Sequence, residues 1–131
     1  MSLPDHLAQG RSSLLPQHAH GRVVLAGLPA AQLRRLHKSY VDKLGEPRDH
    51  DTFEALRAQL KLIRERGFDV DRDVAGGGVA AISVAVNDAQ ANAVGSLTLG
   101  VDGTKLTEAR IAGLARKLSD VSQGITARLT A

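Results

Sequence analysis

The 131-residue chain has no cysteine. That excludes disulfides, thiolate nucleophiles and cysteine-ligated metals, and makes a reducing compartment unremarkable. It has no tryptophan either, and Tyr40, Phe53 and Phe68 are its only tyrosine and phenylalanines. A core must therefore be built from Leu, Val, Ile and Ala. The same scarcity argues against single-stranded nucleic acid as a partner, because bases need aromatic faces to stack on. No apolar run approaches the roughly 18 residues of a membrane span. The segment from Met1 to Gly10, with Pro4, Asp5 and His6, lacks a signal-peptide core, and the expected location is the cytoplasm. An excess of one charge is also missing. Seventeen basic residues face 14 acidic ones, for a net charge of +3, and the signs are interspersed. The surface reads as weakly basic, and DNA binding by this chain alone, through Arg34, Arg35 and Lys38, is not expected.

What is present suffices for one domain. Hydrophobic residues make up 43%, too many for a disordered polymer. Residues 1–16, broken by Pro4, Gly10 and Pro16, read as an irregular arm, and residues 17–131 as a single domain. His18 to Leu28 suits a short helix with Val24, Leu25 and Leu28 as its apolar positions. Pro29 fits the first turn of a second helix, where its missing N–H costs nothing. There Leu33, Leu36, Tyr40 and Leu44 recur on one face until Gly45 and Pro47 end it. Asp51, with Glu54 three positions on, resembles a capping box opening a third helix. Its expected buried stripe is Phe53, Leu56, Leu60 and Ile63, with Arg57, Lys61 and Arg64 facing water. Gly67 stands where a left-handed cap is needed.

The period then changes. Val79 to Val86 alternates, as does Ala93 to Val101, and the polar stretch Asn87 to Asn92 between them reads as a hairpin connection. Phe68 to Val70 adds a short third strand. Thr107 caps a long final helix whose expected stripe is Ile111, Leu114, Leu118, Val121 and Ile125. Helices first, then an antiparallel sheet, then one closing helix define an α+β domain.

The two faces of the hairpin differ. Ala80, Ile82, Val84, Val86, Leu97, Leu99 and Val101 make a bulky face that helices must cover. Ala81, Ser83, Ala85, Ser96, Thr98 and Gly100 make a face of small and hydroxyl residues. Such a face either floors a small-molecule cavity or lets a helix approach closely.

Other residues suggest less. His18 and His20 have no third ligand in spacing, so a metal site is not expected. His37 sits among Arg34, Arg35 and Lys38 on what reads as a solvated helix face. Gly76-Gly77-Gly78 precedes a strand and is no phosphate loop. Asp69, Asp71 and Asp73 alternate and read as a surface-exposed acidic edge, with Asp71 the exception if a pocket exists; no calcium loop is completed. No nucleophile motif is present, so neither catalysis nor a cofactor is expected.

Three runs resemble a known family. Leu15-Pro16-Gln17-His18-Ala19-His20-Gly21-Arg22-Val23-Val24-Leu25-Ala26-Gly27-Leu28-Pro29 is similar to L-P-x-H-A-T-A-x-G-K-A-L-L-A-x-L-P. The stretch from Leu60 to Asp73 is similar to L-x-x-I-R-x-x-G-Y-A-x-D-x-E, and Gly78 to Val86 to G-V-x-C-x-A-A-P-V. Ser96-Leu97-Thr98-Leu99-Gly100 and Lys105-Leu106-Thr107 follow more loosely. In this order, over roughly the last 115 residues, they resemble the C-terminal effector-binding domain of IclR-type bacterial transcription regulators.

The resemblance implies a GAF-like antiparallel sheet flanked by helices, binding a small, often carboxylated metabolite. It implies that DNA is reached only through an N-terminal winged helix-turn-helix domain, which this chain does not contain. Carried over position by position, the acidic pocket residue becomes Asp71, the strand cysteine Ala81 and a serine of the next strand Thr98. Gly21, at the helix start that meets the anionic ligand, and Ser83 and Ser96, on the small-residue face, complete the candidate ligand-binding set.

The sequence also departs from the family pattern. The His18-to-Gly21 run is about two residues short and carries the bulky His20. Ala81 loses a polar contact, and Ala85 replaces a proline. The opening strands are expected to be absent, as in a domain truncated at its front. The edge so exposed is expected to pair with another copy, giving a homo-oligomer. The competing expectation is a truncated dimerisation module that binds no ligand.

Overall fold

A computed structural model of the chain describes residues 18–45, 52–74 and 77–129, apart from the side chains of Leu44, Asp73 and Val74. The expected arm at residues 1–16, the helix stop at Pro47 and the cap at Asp51 lie outside the described residues. Three helices precede the sheet: α1 (Ala19–Ala26), α2 (Ala30–Leu44) and α3 (Phe53–Arg66). The strands β1 (Asp69–Val74), β2 (Val79–Asn87) and β3 (Ala93–Asp102) follow, then a 3₁₀ turn at Gly103–Lys105 and the long α4 (Glu108–Leu129). The domain is α+β, with the strands in the antiparallel order β1-β2-β3.

Local chemistry explains most boundaries. Pro29 stands just ahead of α2 as its N-cap, and the Leu33 N–H reaches the Pro29 carbonyl at 2.9 Å. α3 is capped by Thr52, whose Oγ1 accepts the Ala55 N–H at 3.1 Å. The capping residue is thus one position later than the spacing of Asp51 and Glu54 suggests. Glu54 instead serves the positive end of the helix dipole in the first turn. Gly67 ends α3 in the left-handed region, at φ 87°, and its N–H closes on the Ile63 carbonyl. Thr107 caps α4 through Arg110 N–H. In the hairpin loop Asp88 Oδ1 accepts the N–H groups of Gln90 and Asn92, both at 2.9 Å, a local turn built from one carboxylate.

The sheet is the middle of three layers. Ile82 and Val84 point to one side and pack with Ile111, Ala115 and Leu118 of α4. On the other side Ala85 joins a cluster formed by Val23, Leu25 and Ala26 of α1, Leu33 of α2, and Leu56, Leu60 and Ile63 of α3. β2 is therefore covered on both faces, and five consecutive residues, Ala80 to Val84, are buried.

The α4 stripe differs from the expected one. Ile111 and Leu118 are buried as their spacing implies, but Val121 is 54% exposed and Ser122 takes the inward position. The reason lies in β2, which runs beyond the start of β1: pairing with β1 begins at Asp69–Ser83. Past that point the Ser122 hydroxyl donates to the Ala85 carbonyl at 2.7 Å, and the Thr126 hydroxyl donates to the Asn87 carbonyl at 2.6 Å. Polar residues on α4 thus satisfy strand carbonyls that an apolar stripe would leave unpaired.

Candidate functional site

The small-residue face is partly filled by α1. Ala19 and Gly21 on the helix and Ala81 and Ser83 on β2 are all buried, so helix and sheet approach without bulky side chains between them. Two carboxylates of β1 fix the helix there. Asp71 Oδ2 accepts the Ala19 N–H at 2.7 Å, satisfying a first-turn donor that has no partner within the helix. A negative group at this end also suits the helix dipole. The N-cap His18 makes no side-chain cap hydrogen bond.

Arg22, 8% exposed, projects from the same helix onto both carboxylates. Its Nη2 donates to Asp71 Oδ1 at 2.6 Å, and its Nε donates to Asp69 Oδ2. The other Asp69 oxygen accepts from Arg66 Nη2, also at 2.6 Å. A continuous charge-assisted chain thus links α3, β1 and the first turn of α1. Burial opposes the charge on Arg22, but the hydrogen bonds and attraction of Asp69 and Asp71 outweigh it and hold the guanidinium above its ordinary range.

The strand register extends this cluster across the sheet. Asp69, Ser83 and Thr98 lie in one cross-strand row, and Asp71, Ala81 and Gly100 in another. The Ser83 and Thr98 hydroxyls are 2.8 Å apart and share a hydrogen bond. Ser96 lies opposite Ala85. Gly21, Ala81 and Ser83 are buried and Asp71 half-buried, while Ser96 and Thr98 are exposed. The fold therefore gathers Gly21, Asp71, Ala81, Ser83 and Thr98 around the first half of α1, with Ser96 on the same face toward the hairpin end.

Arg22 and Asp69 were not among the expected site residues. Asp69 is buried, which overturns the expectation of an exposed acidic edge for it: α1 lies over β1 and brings a guanidinium to it. The side chain of Asp73 lies outside the described residues. One signal was legible: Arg22 stands alone before Val23-Val24-Leu25-Ala26, and a cation in a segment bound for the core needs a buried acid. The His18 and His20 rings stack, with centroids 5.3 Å apart. Among the described residues no group of three or more His, Asp or Glu could hold a metal ion.

A cavity of about 300 Å³ lies beside the second half of α1, and none of the six expected residues lines it. No helix among the described residues is long and apolar enough to cross a membrane.

This arrangement, a small antiparallel sheet with α1 docked by its first turn on a face of small and hydroxyl residues, belongs to a known class of regulator domains. The family described as bacterial transcriptional regulator IclR C-terminal matches residues 4–127, and the chain belongs to that family. Solved structures agree in fold. The C-terminal domain of the Escherichia coli regulator KdgR superposes with a TM-score of 0.76 at 23% identity, over 89% of this chain and 71% of that one. Thermotoga maritima IclR gives 0.74 at 24% identity, over 89% and 47%. The Agrobacterium tumefaciens repressor BlcR gives 0.70 at 19% identity, over 89% and 48%. The chain thus spans about half the length of the full regulators. No match is found among curated protein sequences. IclR C-terminal domains are GAF-like modules of transcription regulators, generally serving effector binding and oligomerisation; they are not enzymes. DNA binding in these regulators sits in the N-terminal domain.

Proposed function

We propose that this domain senses a small carboxylated metabolite in the cytoplasm, at the face shared by α1, β2 and β3. The observation that carries the reading is the polar row beside the α1 N-terminus. Exposed Thr98 is held by buried Ser83, next to the Arg22–Asp71 pair and the buried Gly21. In this reading Thr98 and Ser96 offer hydroxyls to the ligand, and Ala81 and Gly21 leave room for it. Asp71 and Arg22 hold the helix that the ligand meets.

The test is a thermal-shift screen of small carboxylates. A true effector at a hundred times its dissociation constant stabilises by about 2.7 kcal/mol, a rise in Tm of roughly 10 °C for a domain of this size. Thr98→Val, which removes an exposed hydroxyl and leaves the α1 clamp intact, is expected to abolish most of that rise. A full rise in both Thr98→Val and Ser96→Ala would overturn the site.

A second reading is favoured by one observation: the Asp71 carboxylate already occupies the Ala19 N–H that an anionic ligand would seek. On that reading the domain only assembles, and no carboxylate shifts its melting. Both readings include a homo-oligomer built on β3. Among the described residues β3 pairs only with β2. It has no proline and no charge from Ala93 to Val101, and Val94 is 58% exposed; such an edge lacks the devices that prevent pairing. Sedimentation at micromolar concentration is expected to show a species larger than one chain, and a clean monomer there would refute the assembly.

A further inference from the structure

Beyond the candidate effector face, the described residues line a second, half-open space. It opens where β2 extends past β1, between the end of α1, the end of α3 and the middle of α4. Its volume of about 300 Å³ reaches the range of small-molecule sites. The walls are apolar and small: Val23 and Ala26 from α1, Ile63 from α3, Val84 and Ala85 from β2. Gly27, Gly67 and Ala91 complete the small-residue lining.

The polar lining converges from separate elements. Arg64 comes from α3, Asn87 from the end of β2, and Ser119, Ser122 and Gln123 from α4. Among the described residues Arg64 is the only ionisable one in the lining, and none of them brings a carboxylate there. Its one hydrogen bond among the described residues is from Nη1 to the Ala26 carbonyl, at 3.2 Å, which leaves the rest of its five-donor fork for a ligand. The Asn87 and Gln123 carboxamides make no hydrogen bond among the described residues, so each keeps donors and an acceptor.

Two helix C-termini border the space, and bare carbonyls there would repel an anion. They are not bare. The Gly27 and Leu28 N–H groups bond Val24 and Leu25 carbonyls, Arg64 bonds Ala26, and the Gly67 N–H bonds Ile63.

We infer that this cavity is a second small-molecule site, separate from the effector face, for a short-chain carboxylate with an aliphatic tail and one further polar group such as a keto or hydroxyl oxygen. The carboxylate takes the Arg64 fork, where two parallel N–H···O bonds are available. The tail lies on Val23, Ala26, Ile63 and Val84. The extra oxygen meets the Asn87 and Gln123 carboxamides.

The test is a titration of the ¹⁵N-labelled full chain with 4-methyl-2-oxopentanoate, followed by amide chemical shifts. Saturable shifts are expected at Gly27, Arg64, Asn87 and Gln123, and none at Gly21, Ser83 or Thr98. Arg64→Gln, an exposed substitution, should weaken binding at least tenfold, as should replacing the probe by 4-methyl-2-oxopentanamide. Ser119→Phe, which fills the space without touching the cation, should abolish it. Shifts confined to Gly21, Ser83 and Thr98 would overturn this site while supporting the effector face. The absence of saturable shifts, or binding indifferent to both Arg64→Gln and Ser119→Phe, would overturn it outright.

Discussion

Arg22→Met is expected to cost about 3–5 kcal/mol of folding stability, a large share of the roughly 5–15 kcal/mol available to such a domain. The cost does not come from the attraction lost. Half-buried Asp71 loses the guanidinium that offsets its desolvation, and buried Asp69 is left with the half-exposed Arg66. The Asp71 contact to Ala19 also weakens, so α1 is released at its first turn. Urea unfolding checks the magnitude. The triple variant Arg22→Met, Asp69→Asn, Asp71→Asn should lose much less than the single one, because the two carboxylates that the missing guanidinium compensated are gone as charges. A triple variant no more stable than the single would show that packing of Arg22, not charge, holds the helix.

Ile82→Ala is the second large effect, expected at about 2–5 kcal/mol. Ile82 is fully buried at the centre of β2, against Ile111 and Leu118 of α4, and neighbours on both sides of the sheet limit how far the cavity can collapse. The same experiment separates the two candidate stripes of α4. Val121→Ala, at a position more than half exposed, should change stability by no more than about 0.5 kcal/mol. Ser122→Ala should cost about 1–3 kcal/mol, because the Ala85 carbonyl loses its donor. A Val121 variant more damaging than the Ser122 variant would restore the purely apolar stripe.

The α4 comparison shows why part of the fold was legible and part was not. Ile111 and Leu118 are recognisable from periodicity, since an apolar residue at helical spacing is buried whatever it meets. Ser122 is not, because its burial depends on where β2 outruns β1. The capping of α3 failed by one residue for a similar reason: Asp51 and Thr52 both have capping side chains, and backbone geometry chose the second. The hairpin was legible except at its tip, because alternation and a polar loop act over short distances; Asn87, expected in the loop, instead closes β2 after a register shift at Val86.

The site divides in the same way. The contrast between the faces of β2 and β3 was visible as a period of two, and Ala81, Ser83, Ser96 and Thr98 fall on one face as that period requires. Family resemblance added Asp71 and Gly21. Neither source disclosed Arg22 and Asp69, which are 47 residues apart and meet only when α1 lies across β1.

The sequence by itself determined the element order, the α+β class, the two faces of the hairpin and the family, because these rest on local propensity, short-range periodicity and motif order. Only the tertiary structure decided which helix covers the small-residue face, which carboxylates are paired, and that a separate cavity opens beside the end of α1. Those outcomes depend on contacts between distant segments: a buried ion pair or a void exists only once the elements around it have packed.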